Sequence, residues 1–310
     1  MTGEEELARI HPERDMAITV GIFDGVHLGH RRLLKRLISL ARKEKLIAGV
    51  ITFRDHPDVL FHPGSVPPYL ASLEERVNLL KKEGARKVIV LPFDKELART
   101  DARSFVGLLL KHLRMKALVV GTDFAMGKDR KGNAGTLKSL GKELGFKVTI
   151  VPPLVIGGEI VSSTRVKEAL GRGDMPKVAE LLGRPFSLKR RVIPGVGRGA
   201  KLGFPTANLD VEPEQALPED GVYASFAEFR KKKLPSITYI GKAPTFGNPK
   251  RSVEVYIFDF SGTLYGKMLK IDIITKIRPD RKFEKPEVLK NQIREDIRQA
   301  KTVLMKPGKH

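Results

Sequence analysis

Three groups of residues have the types and spacing for chemistry on phosphates. His27 and His30 stand three apart in GIFDGVHLGH, where an apolar run gives way to a helical pattern. Two imidazoles at a helix start, beside its unpaired N–H groups, are donors suited to charge developing on an attacked phosphate. Gly25 and Gly29 let the backbone pass close to a ligand there. The second group is IPGVGRGAKLGFPTAN, residues 193–208. Gly195, Gly197, Gly199 and Gly203 free successive N–H groups to wrap phosphates, and Arg198 and Lys201 add charge. Thr206 and Asn208 offer neutral oxygens of the kind Mg2+ takes when it shares phosphate oxygens with ATP. The third is Glu254 in VEVYIF, an acid on the strand face of Tyr256 and Phe258, opposite Val253, Val255 and Ile257. An acid among aromatics is placed to take a proton from an attacking hydroxyl. Each group also has a plainer reading: a capping and a packed histidine, a glycine-rich connection between strands, a glutamate on a solvated face.

Two kinds of periodicity must position these residues. In the first half, apolar runs at Ala17–Gly21, Ile47–Phe53, Lys87–Leu91, Ala117–Gly121 and Val148–Val151 alternate with helical patterns, the clearest being Leu33, Leu34, Leu37, Ile38 and Ala41. Strands alternating with helices predict a parallel sheet covered on both faces, with ligands beyond the strands' carboxyl ends. The second half changes to period two, in residues 253–258 and in Leu269, Ile271, Ile273 and Ile277. With further strands expected at Phe186–Ile193, Gly221–Phe229 and Ser236–Gly241, it reads as an antiparallel barrel or sandwich. A helical pattern returns from Glu284, and the tail Lys306–His310 is expected to be disordered. The boundary is placed at Gly183-Arg184-Pro185, giving domains of residues 1–183 and 184–310.

Bulk properties exclude more than they identify. The chain of 310 residues carries a formal charge of +21 and no cysteine, which removes disulfides, thiol nucleophiles and cysteine zinc sites. The basic residues are spread along the chain without an aromatic-interleaved recognition motif, so neither nucleic acid nor a membrane is an expected partner. No apolar run approaches the roughly 18 residues of a membrane span, and the charged N-terminus has no signal-peptide core, so a cytoplasmic location is expected.

GIFDGVHLGH resembles the signature of the HxGH nucleotidyltransferases, in the form found in the prokaryotic bifunctional riboflavin kinase/FMN adenylyltransferase (FAD synthetase) family. TFRDHP at 52–57 resembles its TFxxHP, VGTDFAMG at 120–127 its VGxDFxFG, and VSSTRVK at 161–167 its ISSTxxR. The stretch 195–209 resembles the ATP signature of riboflavin kinases, followed in order by GVY at 221, GKAPTFG at 241, VEVY at 253, LYG at 264 and RPDRKF at 278. The resemblance spans roughly residues 15–300. It implies a Rossmann-like α/β nucleotidyltransferase domain followed by a Greek-key antiparallel β-barrel kinase domain with a C-terminal helix. It also implies ATP, riboflavin, FMN and FAD as substrates or products, with Mg2+ as cofactor.

Carried over by position, the resemblance places Phe23, Gly25, Gly29, Ser163, Thr164 and Arg165 at ATP phosphates, with His27, His30 and Lys167 catalytic. Lys167 stands where the family has Arg, keeping the charge and losing the bidentate fork, which Arg165 could supply. Met126 replaces an aromatic, and Tyr256 stands at a common family His. Asp123 and Phe124, with Arg278 and Phe283, are expected at the flavin. Glu254 is the expected base, and Thr206 and Asn208 the expected Mg2+ ligands. His56 is a weaker nucleotide-site candidate, and His62 is left aside. The family also implies weak self-association, for which no residue here defines an interface. Two alternatives stay open: a single-activity adenylyltransferase with a flavin-binding barrel, and a basic nucleic-acid-binding protein.

Overall fold

The computed structural model describes residues 2–61, 68–127, 131–242 and 251–305, with the side chain of Arg198 outside the description. His62, Ala243–Gly247 and the tail Lys306–His310 lie outside the described residues. The chain divides into two compact units, residues 1–162 and 163–310.

The first unit holds β1 (Met16–Val20), β2 (Ile47–Phe53), β3 (Lys87–Leu91), β4 (Met115–Gly121), the hairpin β5 (Ala125–Met126) and β6 (Gly132–Asn133), β7 (Lys147–Val151), and the hairpin β8 (Val155–Ile156) and β9 (Glu159–Ile160). The main sheet runs β3-β2-β1-β4-β7 with every pair parallel. Period two splits its side chains between two cores. Ile18, Val20, Ile51, Phe53, Leu118 and Val120 meet Phe105, Val106, Leu109 and Leu137 from the helices Ala102–Leu113 and Ala134–Leu144. Ala17, Val50, Ala117 and Val119 meet Leu34 and Leu37 of the helix Leu28–Lys43 and Leu80 of Leu73–Lys82. Each such leucine contributes about 2 kcal/mol by burial. The chain leaves β1 toward β2 and β3, then crosses to β4 and β7 on its other side. The order therefore reverses at β1/β4, and the crevice beyond their carboxyl ends is the position for a ligand.

The second unit opens with the helices Ser163–Gly171 and Met175–Leu182, the latter packed against two barrel strands. The division at 162/163 thus differs from the sequence boundary at 183/184 by these two helices. Gly183 does end the second helix with a left-handed residue, φ 68°; a helix end, however, marks where an element stops and not what it packs against.

The barrel strands are β10 (Phe186–Ile193), β11 (Ala207–Leu209), β12 (Gly221–Phe229), β13 (Lys232–Lys242), β14 (Arg251–Ile257) and β15 (Met268–Pro279). They close in the order β10-β11-β14-β13-β12-β15, all antiparallel. β12 to β14 form a meander and β15 returns beside β12, the Greek-key path expected of the resemblance. The helix Pro286–Leu304 lays Ala300 and Leu304 against Val222, Ala224, Ile237 and Phe258.

A buried ion pair joins that helix to the barrel. Arg278 Nε donates to both oxygens of Asp296, at 2.9 and 3.0 Å, and Asp296 is 1% exposed. Removing one member of a buried pair costs about 3–5 kcal/mol. Because the Arg278 side chain keeps 15% exposure, Asp296→Ala is expected at the low end, about 3 kcal/mol. Urea unfolding followed by far-UV circular dichroism measures it, and a loss under about 1 kcal/mol would show a pair no stronger than a surface one.

Candidate functional site

The loop after β1 departs from regular backbone to build the histidine pair. Phe23 is left-handed at φ 55°, Gly25 has φ 72°, and Val26 has φ 43°. Only the glycine adopts this region freely; a β-branched valine there is strained, by about 1–3 kcal/mol. The Phe23 ring is buried, lying on Gly21 and edge-on to His30 at 5.1 Å. His27 is the N-cap of the helix Leu28–Lys43: its Nδ1 accepts from the His30 N–H at 3.3 Å. The two imidazoles stack with centroids 3.6 Å apart. A Cβ on Gly29 would sit 3.0 Å from the His27 ring and from the Val161 carbonyl, so a larger residue there would press on both.

His30 Nδ1 is buried and, among the described residues, has no hydrogen-bond partner. Burial, and secondly the neighbouring His27, hold the His30 pKa well below the ordinary histidine value. His30 therefore carries little positive charge at pH 7.

A second segment braces this loop. Asp24 is buried, and its Oδ1 accepts from the N–H groups of Leu70 at 2.9 Å and Ala71 at 3.3 Å. Arg76, only 1% exposed, donates from Nη1 to the Ile22 carbonyl at 2.8 Å and from Nη2 to the Phe53 carbonyl at 2.9 Å. Thr52 Oγ1 also donates to the Ile22 carbonyl, at 2.9 Å. Sequence reasoning passed over Arg76, because an arginine in LEERVNLLKK reads as part of a solvated helix face. Its one signal is position: around the helix it falls between Leu79 and Leu80, on the side that carries apolar residues. His56 is engaged locally, its N–H donating to Tyr69 Oη at 2.5 Å and its Nδ1 accepting from the Asp58 N–H at 3.2 Å.

Across the switch point, the loop after β4 carries Asp123, exposed, and Phe124, half-buried against the first core. This places them with the histidine loop at the carboxyl ends of adjacent strands. Ser163, Thr164, Arg165 and Lys167 lie in the first turns of the helix Ser163–Gly171 in the second unit, with Val166, Ala169 and Leu170 on its buried face.

In the barrel, the sequence-predicted residues come together. The short strand β11 places Asn208 opposite Ile193 on one side and Glu254 on the other. Thr206 Oγ1 donates to Glu254 Oε2 at 3.1 Å. Gly195 is held against the Asn208 amide so closely that a Cβ would lie 2.0 Å from Nδ2, and a Cβ on Gly199 would lie 2.4 Å from the Phe204 carbonyl. Gly197 and Gly203 have φ of 73° and 91°. Residues 198–201 form one short helical turn, and the N–H groups of Lys201, Leu202, Gly203 and Phe204 bond within the loop. Val253, Val255 and Ile257 are buried on one face of β14, as expected. On the other, Tyr256 packs edge-on to Phe204 at 5.6 Å and against Phe258 at 6.0 Å. Tyr239, opposite Glu254 on β13, has its hydroxyl pKa pushed up to about 12, chiefly by burial and then by Asp280. It stays a protonated donor.

Arg278 points its Nε at Asp296, while its guanidinium and that of Arg281 flank the Phe283 ring at 5.5 and 4.7 Å. Gln292 donates to Asp296 at 2.7 Å. The two flavin-end candidates of the barrel thus touch each other.

An α/β unit with a histidine pair at its switch point, followed by a Greek-key barrel with a PTAN segment beside a strand glutamate, defines a nucleotidyl-transfer and phosphoryl-transfer protein. Residues 9–165 match the family described as FAD synthetase, and residues 182–304 match riboflavin kinase. The chain is 37% identical over 287 residues to the bifunctional riboflavin kinase/FMN adenylyltransferase of Escherichia coli K12, covering 92% of this chain and 91% of that one. It is 34% identical to the enzyme of the same description from Pseudomonas fluorescens, over 98% of each. A crystal structure described as a macrolide-efflux protein from Streptococcus pneumoniae superposes with a TM-score of 0.89 at 30% identity, over 97% of each chain. Among the described residues no helix is long and apolar enough to cross a membrane. The chain belongs to the bifunctional riboflavin kinase/FMN adenylyltransferase family.

The lowered pKa of His30 has a pH signature. Unfolded, His30 binds its proton near the ordinary value of about 6.5; folded, only at lower pH. The unfolded state therefore holds more protons below about 6.5, and folding weakens as pH falls through that value. Chemical unfolding of the wild type between pH 7.5 and 5 is expected to show this loss, and His30→Gln a flatter slope. Parallel slopes would mean that His30 is protonated in the folded protein.

Proposed function

We propose that this chain makes FAD from riboflavin in two transfers, with residues 184–310 carrying the kinase step and residues 1–183 the adenylyl transfer. The observation that carries this division is the Thr206–Glu254 hydrogen bond with Asn208 directly opposite Glu254. That corner brings a base and neutral oxygen donors together in the barrel, while the stacked histidines belong to the α/β unit.

In the kinase step, Glu254 takes the proton of the ribityl 5′-hydroxyl as that oxygen attacks the γ-phosphorus of ATP, giving FMN and ADP. The remaining N–H groups around Gly195, Gly197 and Gly199, with Arg198 and Lys201, hold the phosphates. A hydroxyl, an amide oxygen and a carboxylate side by side fit a hard cation, so Thr206 and Asn208 are proposed to hold Mg2+, which when bound supplies positive charge to the ATP oxygens. Arg278 and Phe283 form the flavin end.

In the second step a phosphate oxygen of FMN attacks the α-phosphorus of another ATP, giving FAD and releasing pyrophosphate. His27 and His30, with the Phe23–Gly29 backbone, stabilise charge on that phosphate. Ser163, Thr164, Arg165 and Lys167 receive the departing pyrophosphate, and Asp123 and Phe124 hold the flavin. The partners are small molecules, without nucleic acid or membrane, and the setting is cytoplasmic; any self-association is weak.

Mutants separate the two steps. Glu254→Gln is expected to lower FMN formation from riboflavin and ATP by at least about 100-fold and to leave FAD formation from supplied FMN intact. His30→Ala is expected to do the reverse. Chromatography of the flavin products reads both. A folded mutant that lost both activities would overturn the division, and a wild type that made FAD from FMN but no FMN from riboflavin would reduce the barrel to flavin binding.

A further inference from the structure

We infer that Arg76 is a positioning residue for adenylyl transfer: it holds the histidine loop in its catalytic shape through the Ile22 and Phe53 carbonyls. The inference rests on the adenylyl-transfer reading of that loop and adds to it a residue that touches no substrate.

Ile22 immediately precedes the three residues with positive φ, two of which, Phe23 and Val26, are not glycine. Backbone of that kind persists only where surrounding contacts over-determine it. Arg76 supplies such contacts with one rigid fork, Nη1 to Ile22 after β1 and Nη2 to Phe53 at the end of β2, with Arg54 O a longer 3.4 Å away. Thr52 Oγ1 adds a second donor to the Ile22 carbonyl. From the same segment, the N–H groups of Leu70 and Ala71 grip Asp24. The loop is therefore clasped on both sides of Phe23, by an arginine before it and a carboxylate after it.

The chemistry of Arg76 is out of place for a residue kept only for stability. Its guanidinium is buried, which pushes its pKa down against the attraction of Asp24, Tyr69 and Asp55. Among the described residues its Nε is buried without a hydrogen-bond partner. A buried unpaired donor is destabilising, and an apolar side chain would fill the same space without that penalty. What an apolar side chain lacks is the two-carbonyl fork, and the fork ends on the residue that leads into Phe23. Lys keeps the charge but reaches one carbonyl at a time.

The test compares wild type, Arg76→Lys, Arg76→Met and Thr52→Val in steady-state FAD formation from FMN and ATP, with riboflavin phosphorylation by the same samples as a folding reference. Arg76→Met is expected to lower kcat by about 100-fold, the effect of misplacing reacting groups by an ångström. KM for FMN and for ATP should stay within about threefold, because the lost interaction acts on the transition state. Arg76→Lys should recover part of kcat, and Thr52→Val should show a smaller fall in the same direction. Should Arg76→Met fail to fold, the Lys and Val variants decide through the same split. Unchanged kcat in folded variants, or a change confined to KM, would overturn the role of Arg76. A wild type that makes no FAD would instead overturn the reading of the site itself.

Discussion

Backbone N–H groups that are to face a phosphate cannot also bond within a helix or sheet, so a phosphate site requires a break in regular structure, and the break must be held open. Both units contain such a break, held by opposite means. In the α/β unit the break follows β1 and uses two non-glycine residues at positive φ, Phe23 and Val26. Such a loop does not hold itself; it is held from outside by Arg76 and Thr52 and by the Leu70 and Ala71 N–H groups that grip its Asp24. In the barrel the break between β10 and β11 uses Gly197 and Gly203 where φ is positive, and folds onto its own carbonyls. The first solution is strained and braced, the second relaxed and self-bonded.

The difference follows from what each site must position. The histidine site needs two side chains stacked at 3.6 Å and aimed from a helix start. Side-chain aim depends on every backbone angle before it, and a glycine-rich loop would leave too much freedom. The barrel site needs backbone donors near a fixed corner, and the corner is fixed by sheet pairing: Asn208 and Glu254 are register partners, and Thr206 is one residue from the ladder. There the loop may be permissive because the strands supply the precision.

Sequence periodicity located Ile47–Phe53, Lys87–Leu91, Phe186–Ile193 and Gly221–Phe229 with the bounds the structure shows, since each is a run whose burial pattern is set by one repeat. It missed β11, because three residues following a proline carry no period, and β11 is what brings PTAN to Glu254. It read His27 as a ligand donor in preference to a cap. The structure makes it the cap through Nδ1. Arg76 carries only a positional signal, for a different reason: its partners are two carbonyls 54 and 23 residues away, and carbonyl acceptors have no sequence signature.

The protonation state of His30 constrains where charge must come from. A histidine kept neutral by burial donates hydrogen bonds and cannot neutralise pyrophosphate. On the proposed reading that charge is met by permanent cations, Arg165 and Lys167. Arg165 and Lys167 are two apart in a helix, so they project about 200° from one another and cannot both address a phosphate in the same way. Lys167 is one turn on from Ser163 and three residues from Thr164, the spacings that share a helix face. Lys167 therefore shares a helix face with Ser163 and Thr164, and a lysine there is a flexible point charge where an arginine would be a fixed fork.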